Sequence, residues 1–152
     1  MSDEHSGPPA PPPSEPNPLL KNLDVLVGTW KMNGNDANTD DAIQGTVSFE
    51  WFDGGFFLVQ RVEMDHGDGN PMKGIEIIGH DREKNICTSN YFDNSGNAFQ
   101  YAWEVNGNEL ITWMGGPGSP AFFKGTISED GKQINGAWQW PGGGYSANMT
   151  KV

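Results

Sequence analysis

Arg61, Glu76, His80, Tyr91, Tyr101, Trp103 and Trp113 are the side chains of this chain best suited to handling a small molecule. A guanidinium such as Arg61 grips a ligand carboxylate or carbonyl as a two-pronged donor. An imidazole such as His80 orients a ligand or titrates near neutrality. A carboxyl such as Glu76 moves protons once its surroundings tune it. The tyrosines can hydrogen-bond a ligand oxygen, and the tryptophans offer flat apolar wall. All seven fall in short segments of apolar–polar alternation, where residues two apart share a face. Phe57, Val59, Arg61 and Glu63 share one face; so do Glu76, Ile78 and His80; so do Tyr101 and Trp103, with Gln100 opposite. Asn90 and Tyr91 point opposite ways, and Trp113, Lys124, Trp138 and Gln139 come later. Mixed aromatic and polar faces suit a ligand cavity, which is mostly apolar with a few placed polar groups. They also suit an outer wall. Glu63, Glu76 and Arg61 can form an exposed cross-strand charge ladder, and His80, just before a turn, can face water. A single bulge reverses every such assignment.

Other chemistries leave no mark. There is no G-x-x-x-x-G-K-[ST] loop and no H-E-x-x-H pair. No Cys/His cluster has metal spacing, and Asp65 to Asn70 lacks the alternating acids and final Glu of a calcium loop. No nucleophile, base and orienting group stand together, so catalytic residues stay unassigned and neither a metal nor a cofactor is expected. The lone cysteine, Cys87, excludes an internal disulfide and reads as a small buried hydrophobe, with no basic neighbour to lower its pKa.

Charge narrows the partners. With 20 acidic and 9 basic residues, a formal net charge of −11 repels phosphate backbones and anionic membrane surfaces. No apolar run is long enough to cross a bilayer, and the N-terminus lacks a signal-peptide pattern, so a soluble cytoplasmic protein is expected. The length of 152 residues fits one domain and a tail.

These side chains need a scaffold. Residues 1–16 are too polar and Pro-rich to fold and read as a disordered tail, with a polyproline ligand for a partner domain as the alternative. Asn17 can cap a helix, Pro18 suits its first turn, and Leu19, Leu20, Leu23 and Leu26 give it an apolar face. After Leu26 helical periodicity nearly vanishes. Ile43 to Phe52 alternates cleanly, with Ile43, Val47, Phe49 and Trp51 on one face. Asp53-Gly54-Gly55, Asn106-Gly107-Asn108 and similar stretches punctuate the rest as turns. The sum is about ten strands, one every ten to twelve residues or so, with no crossover helix. That pattern predicts an all-β, up-and-down antiparallel barrel over 17–152, with the short N-terminal helix capping one end. Closure hides the sheet edges, and about ten strands leave a ligand-sized interior. Trp30, Trp51 and Trp138 read as packing, Trp30 as the plug of the capped end.

Leu23-x-x-Leu26-Val27-Gly28-Thr29-Trp30 resembles the Gly-x-Trp opening of the lipocalin and calycin superfamily. Glu50-Trp51-Phe52 with Gly54-Gly55, Phe57-Leu58-Val59-Gln60-Arg61, Ile78-Gly79-His80-Asp81, Tyr91-Phe92-Asp93-x-x-Gly96 and Gly136-x-Trp138 are similar to a bacterial calycin-like family of unknown function. The resemblance spans Leu19 to Val152. It implies a lipocalin-like barrel and carries no activity with it. Lipocalins commonly cover the opening Trp with an Arg from the last strand. Here the arginines are Arg61 and Arg82, and Lys151 is the substitute that can sit over Trp30 or remain solvated. Haem-binding relatives use a late histidine, whereas this chain has only His5, His66 and His80, so the resemblance implies no haem.

Three functions follow from such a chain. The first is binding of a small apolar or amphipathic ligand in the barrel, oriented by Arg61 with Tyr91 or Tyr101. The second is an isomerase, cyclase or hydrolase on the same scaffold, with His80 or Glu76 as acid–base group. The third is a filled barrel whose surface binds another protein. The sequence leaves the oligomeric state open.

Overall fold

Leu20, Leu23 and Leu26 are spaced three apart, which shapes the start of the fold. A computed structural model describes residues 10–152. Residues 1–9 of the expected tail lie outside the described residues; residues 10–16 carry no helix or strand, and the Pro11 carbonyl accepts a hydrogen bond from Arg82 Nη1 at 3.0 Å. The Asn17 side chain accepts from the Leu19 N–H at 2.9 Å and caps helix α1, Pro18–Lys21. The sequence predicts one helix to Leu26. Instead α1 gives way to a 3-10 turn, Asn22–Leu26. The leucine spacing is the reason: with three residues per turn, Leu20, Leu23 and Leu26 fall on one line, and all three are buried. Leu19, off that line, is exposed.

Ten strands follow: β1 Gly28–Asn35, β2 Ala42–Trp51, β3 Leu58–Asp65, β4 Met72–Asp81, β5 Ile86–Asp93, β6 Ala98–Asn106, β7 Glu109–Met114, β8 Phe122–Ile127, β9 Gln133–Trp140 and β10 Gly143–Lys151. Each pairs antiparallel with its neighbour in sequence, and β1 pairs with β10 to close an up-and-down, calycin-like barrel. The closing register sets Trp30 opposite Lys151 and Met32 opposite Met149. In β2 the alternation reads directly into burial: Ile43, Val47 and Phe49 are buried, while Gln44, Thr46 and Glu50 face solvent.

The helical segment caps one end. α1 packs on β4 and β5, and the 3-10 turn packs on β6. Trp30 is fully buried beneath the cap and its Nε1 donates to the Leu26 carbonyl at 2.8 Å. Trp51 Nε1 donates to Asp24 Oδ1 at 2.9 Å, tying β2 to the same cap. Among the described residues no helix is long and apolar enough to cross a membrane.

Two mid-strand glycines let the sheet bend this tightly. A Cβ on Gly34 would stand 1.6 Å from the Ser146 carbonyl oxygen, and one on Gly136 would stand 2.2 Å from that of Lys124. Neighbouring backbone presses into the space a side chain would need.

Candidate functional site

Alternation along a closed sheet sends every second side chain into the lumen, and ten strands leave room there. The lumen holds a cavity of about 380 Å³, within the range of small-molecule sites. Phe49, Tyr91, Phe99, Tyr101, Trp103 and Trp138 supply its aromatic wall. The rings contact one another in a row: Tyr91 stacks on Phe99 with centroids 6.0 Å apart, and Tyr101 meets Tyr91 edge-on at 6.0 Å and Trp138 at 5.8 Å.

Glu76 is the polar centre. On β4 it lies in register with Gln60 of β3 and Tyr91 of β5, all three lining the cavity. It is only 5% exposed. Its Oε2 accepts the Ser89 hydroxyl at 2.5 Å and the Trp103 indole N–H at 2.8 Å. Ser89 and Trp103 come from the next two strands, so three strands converge on one carboxylate oxygen. Oε1 takes no bond from the described residues and is not sealed away, so it is open to the cavity. Burial pushes the carboxyl up to about 7, against the two hydrogen bonds that favour its ionised form.

The phenols stay neutral. Burial raises Tyr91, and the Asp93 carboxylate beside it raises it further; burial raises Tyr101, with Glu76 adding to the effect. Tyr145 is pushed up to about 12 by burial. Tyr91 donates to Asp93 Oδ2 at 3.0 Å, whereas the Tyr101 and Tyr145 hydroxyls donate to no group among the described residues and remain available to a ligand. Desolvation would raise Asp93, but hydrogen bonds from Asn97, Ser95 and Tyr91 outweigh it and hold that carboxyl below the usual range.

The structure sorts the seven sequence candidates. Glu76, Tyr91, Tyr101 and Trp103 line the cavity together. Arg61 does not: Gln60, Val62 and Met64 take the inward positions of β3, which puts Arg61 on the exposed outer wall. Trp113 is likewise outward, because Thr112 and Met114 face in on β7. His80 shares the face of Glu76 and Ile78, but it sits past buried Ile78 at the end of β4. There its Nε2 stands 2.9 Å from Asn85 Oδ1 of the following turn, away from the cavity. At the capped end, the Lys151 ammonium lies 4.9 Å from the centroid of the Trp30 ring.

Sequence reasoning passed over Gln60, Ser89, Thr112 and Tyr145 and treated Trp138 as packing, yet all five line the lumen or bond to its central acid. The signal for Ser89 was its parity with Tyr91, which places both on one face of β5.

Residues 15–110 match a family described as "Protein of unknown function (DUF1579)". No curated protein matches the chain. Among solved structures the chain is similar to a de novo designed fluorescence-activating β-barrel, at 14% identity and a TM-score of 0.48, covering 86% of this chain and 96% of that one. It is also similar to a redesigned β-barrel, mFAP1, bound to DFHBI, at 14% identity and a TM-score of 0.49, covering 85% and 97%. Likeness at this level carries no argument about what the lumen holds.

Proposed function

The chain belongs to this DUF1579 family, and we propose that it is a small-molecule binding protein whose largely apolar ligand sits in the lumen with a polar end toward Glu76. The cavity of about 380 Å³ carries the reading, because it joins an aromatic wall to one buried acid. A ligand that buries roughly 300 Å² of apolar surface gains about 7 kcal/mol before the costs of ordering it. Glu76, Gln60 and Tyr101 orient the polar end, and Tyr91 and Trp103 fix the walls around it. Arg61 lies outside the lumen and has no part in this. The unit that binds is the barrel over residues 17–152.

Two measurements test the reading. The purified protein, extracted with organic solvent and examined by mass spectrometry, should release a bound compound. A panel of apolar and amphipathic compounds should shift or quench tryptophan fluorescence through Trp103 and Trp138. A protein that is empty after purification and silent to the whole panel overturns it.

One observation favours a second reading, proton-transfer catalysis in the same lumen. A carboxyl held near neutrality by burial is suited to general acid–base work. Isomerisation or cyclisation of an apolar substrate is the matching class, with Glu76 alone as the acid–base group, since His80 lies elsewhere. Any activity found should vanish in Glu76→Gln and titrate near pH 7; an activity that survives the substitution removes this reading.

A further inference from the structure

Building on lumen binding, we propose that the ligand carries a basic nitrogen, bound as a cation between the Glu76 carboxylate and the surrounding aromatic rings. Three observations support this choice over an acid or a neutral polar group.

The first is the sign of the lining. Among the described residues that line the cavity there is no Lys, Arg or His, while Glu76 and Asp93 are both present. A ligand carboxylate or phosphate would enter beside two acids and find no cation to pair with, leaving its own charge desolvated and uncompensated.

The second is the chemistry of Glu76. Its Oε2 is already satisfied by Ser89 and Trp103, and its Oε1 looks into the cavity. A glutamine would accept the same two bonds without any cost of burying charge. What a carboxylate adds is attraction for a cation, through a charge-assisted bond in a site of low polarity.

The third is the wall. Tyr91, Tyr101, Trp103 and Trp138 surround the cavity, and aromatic faces attract ammonium groups most strongly once water is excluded. An acid at the centre of an aromatic cage is complementary to an alkyl- or aryl-amine. Binding then has a proton linkage. Below about pH 7 Glu76 is mostly protonated, so an incoming ammonium displaces its proton, and affinity rises with pH until the carboxyl is fully ionised.

The test uses three compounds of one shape: phenylbutylamine, phenylbutanol and phenylbutyrate, titrated calorimetrically into the full chain at about pH 6 and about pH 8. The amine should bind about tenfold or more tighter than the alcohol at the higher pH, and the carboxylate should be weakest. Below neutrality, titrations in buffers of different ionisation enthalpy should show a proton released by the amine and none by the alcohol. In Glu76→Gln, with folding checked by circular dichroism, the amine should fall to within about threefold of the alcohol. Arg61→Ala should leave the amine preference as in the wild type. If alcohol or carboxylate binds as tightly as the amine, or no proton is released, the inference fails while lumen binding stands. If none of the three binds, the inference fails, and lumen binding fails with it only when the solvent extract is also empty and the wider panel silent.

Discussion

The Lys151 ammonium stands 4.9 Å from the centroid of the Trp30 ring, directly across the seam where the last strand meets the first. Its Nζ also donates to the Val25 carbonyl at 3.3 Å, so one side chain joins β10, the indole of β1 and the 3-10 turn. Lys151→Met keeps the alkyl stem and removes the charge. It should cost about 1–2 kcal/mol, read as a fall in melting temperature of about 2–8 °C for a chain of this size. Lys151→Arg should retain most of the stability. A melt unchanged in Lys151→Met would make the contact incidental.

Glu76→Gln should change the pH dependence of stability. The folded carboxyl holds its proton up to about pH 7, whereas the unfolded one releases it near 4.5. Between those values the native state binds more protons, so wild-type stability falls as pH rises through that window and levels off above it. The loss is at most about 3 kcal/mol. Glu76→Gln should therefore be more stable than the wild type above about pH 7 and flat across the window. Asp36, Asp93 and Asp130 act with opposite sign at lower pH, since their carboxyls are held below the usual range. Chemical denaturation at several pH values separates the two. Parallel wild-type and variant curves would refute the assignment.

Arg61→Ala and His80→Ala should each leave ligand affinity unchanged; Arg61→Ala, at an exposed position, should also alter stability by no more than about 0.5 kcal/mol. Arg61 lies on the outer wall and His80 beyond Ile78 at the turn. Loss of affinity in either variant would mean that the lumen faces are wrongly assigned.

The different fates of Arg61 and Glu76 show what the sequence could reveal. Barrel, strand count and cap were legible because period-two alternation and turn residues are local signals; β2 is the clearest case. The inward face of β3 was legible by polarity: Leu58, Gln60, Val62 and Met64 are uncharged and mostly apolar, whereas Val59, Arg61 and Glu63 carry two charges. The expectation for Arg61 followed its ligand chemistry instead of that contrast. The Glu76, Ser89 and Trp103 cluster spans 27 residues and three strands. It exists only because two hairpin registers bring those positions together, and turn composition does not fix register to one residue. Gly34 and Gly136 report close backbone approach in a tightly coiled sheet, which no local pattern announces.

Cys87 should be inert in the native state. It is 4% exposed and burial pushes its thiol up to about 11. At pH 8 only about a thousandth is thiolate, and the thiolate is the reactive species. Labelling with an aromatic disulfide reagent should be slow in native buffer and complete within minutes in denaturant. Stoichiometric reaction of the native protein would show that β5 opens readily.

Trp103→Phe tests whether the Trp103 N–H tunes the acid or the ring only fills space. The indole N–H reaches Glu76 Oε2 at 2.8 Å, and the ring meets Phe49 edge-on with centroids 6.1 Å apart. Phenylalanine keeps an aromatic face there and removes the donor. A donor to a carboxylate favours the ionised form, so its loss should move the Glu76 titration upward from about 7. The penalty should therefore depend on pH. Above neutrality the variant lacks a hydrogen bond to a charged group, worth about 1.5–3 kcal/mol. Below about pH 4.5, where both states hold the proton, the lost bond is to a neutral carboxyl and, at about 0.5–1.5 kcal/mol, adds less to the packing change. Carboxyl chemical shifts followed through a pH titration give the midpoint directly, and denaturation at low and high pH gives the energy difference. An unmoved midpoint with the same destabilisation at both pH values would assign Trp103 to packing alone and leave Ser89 as the one donor that sets the acid.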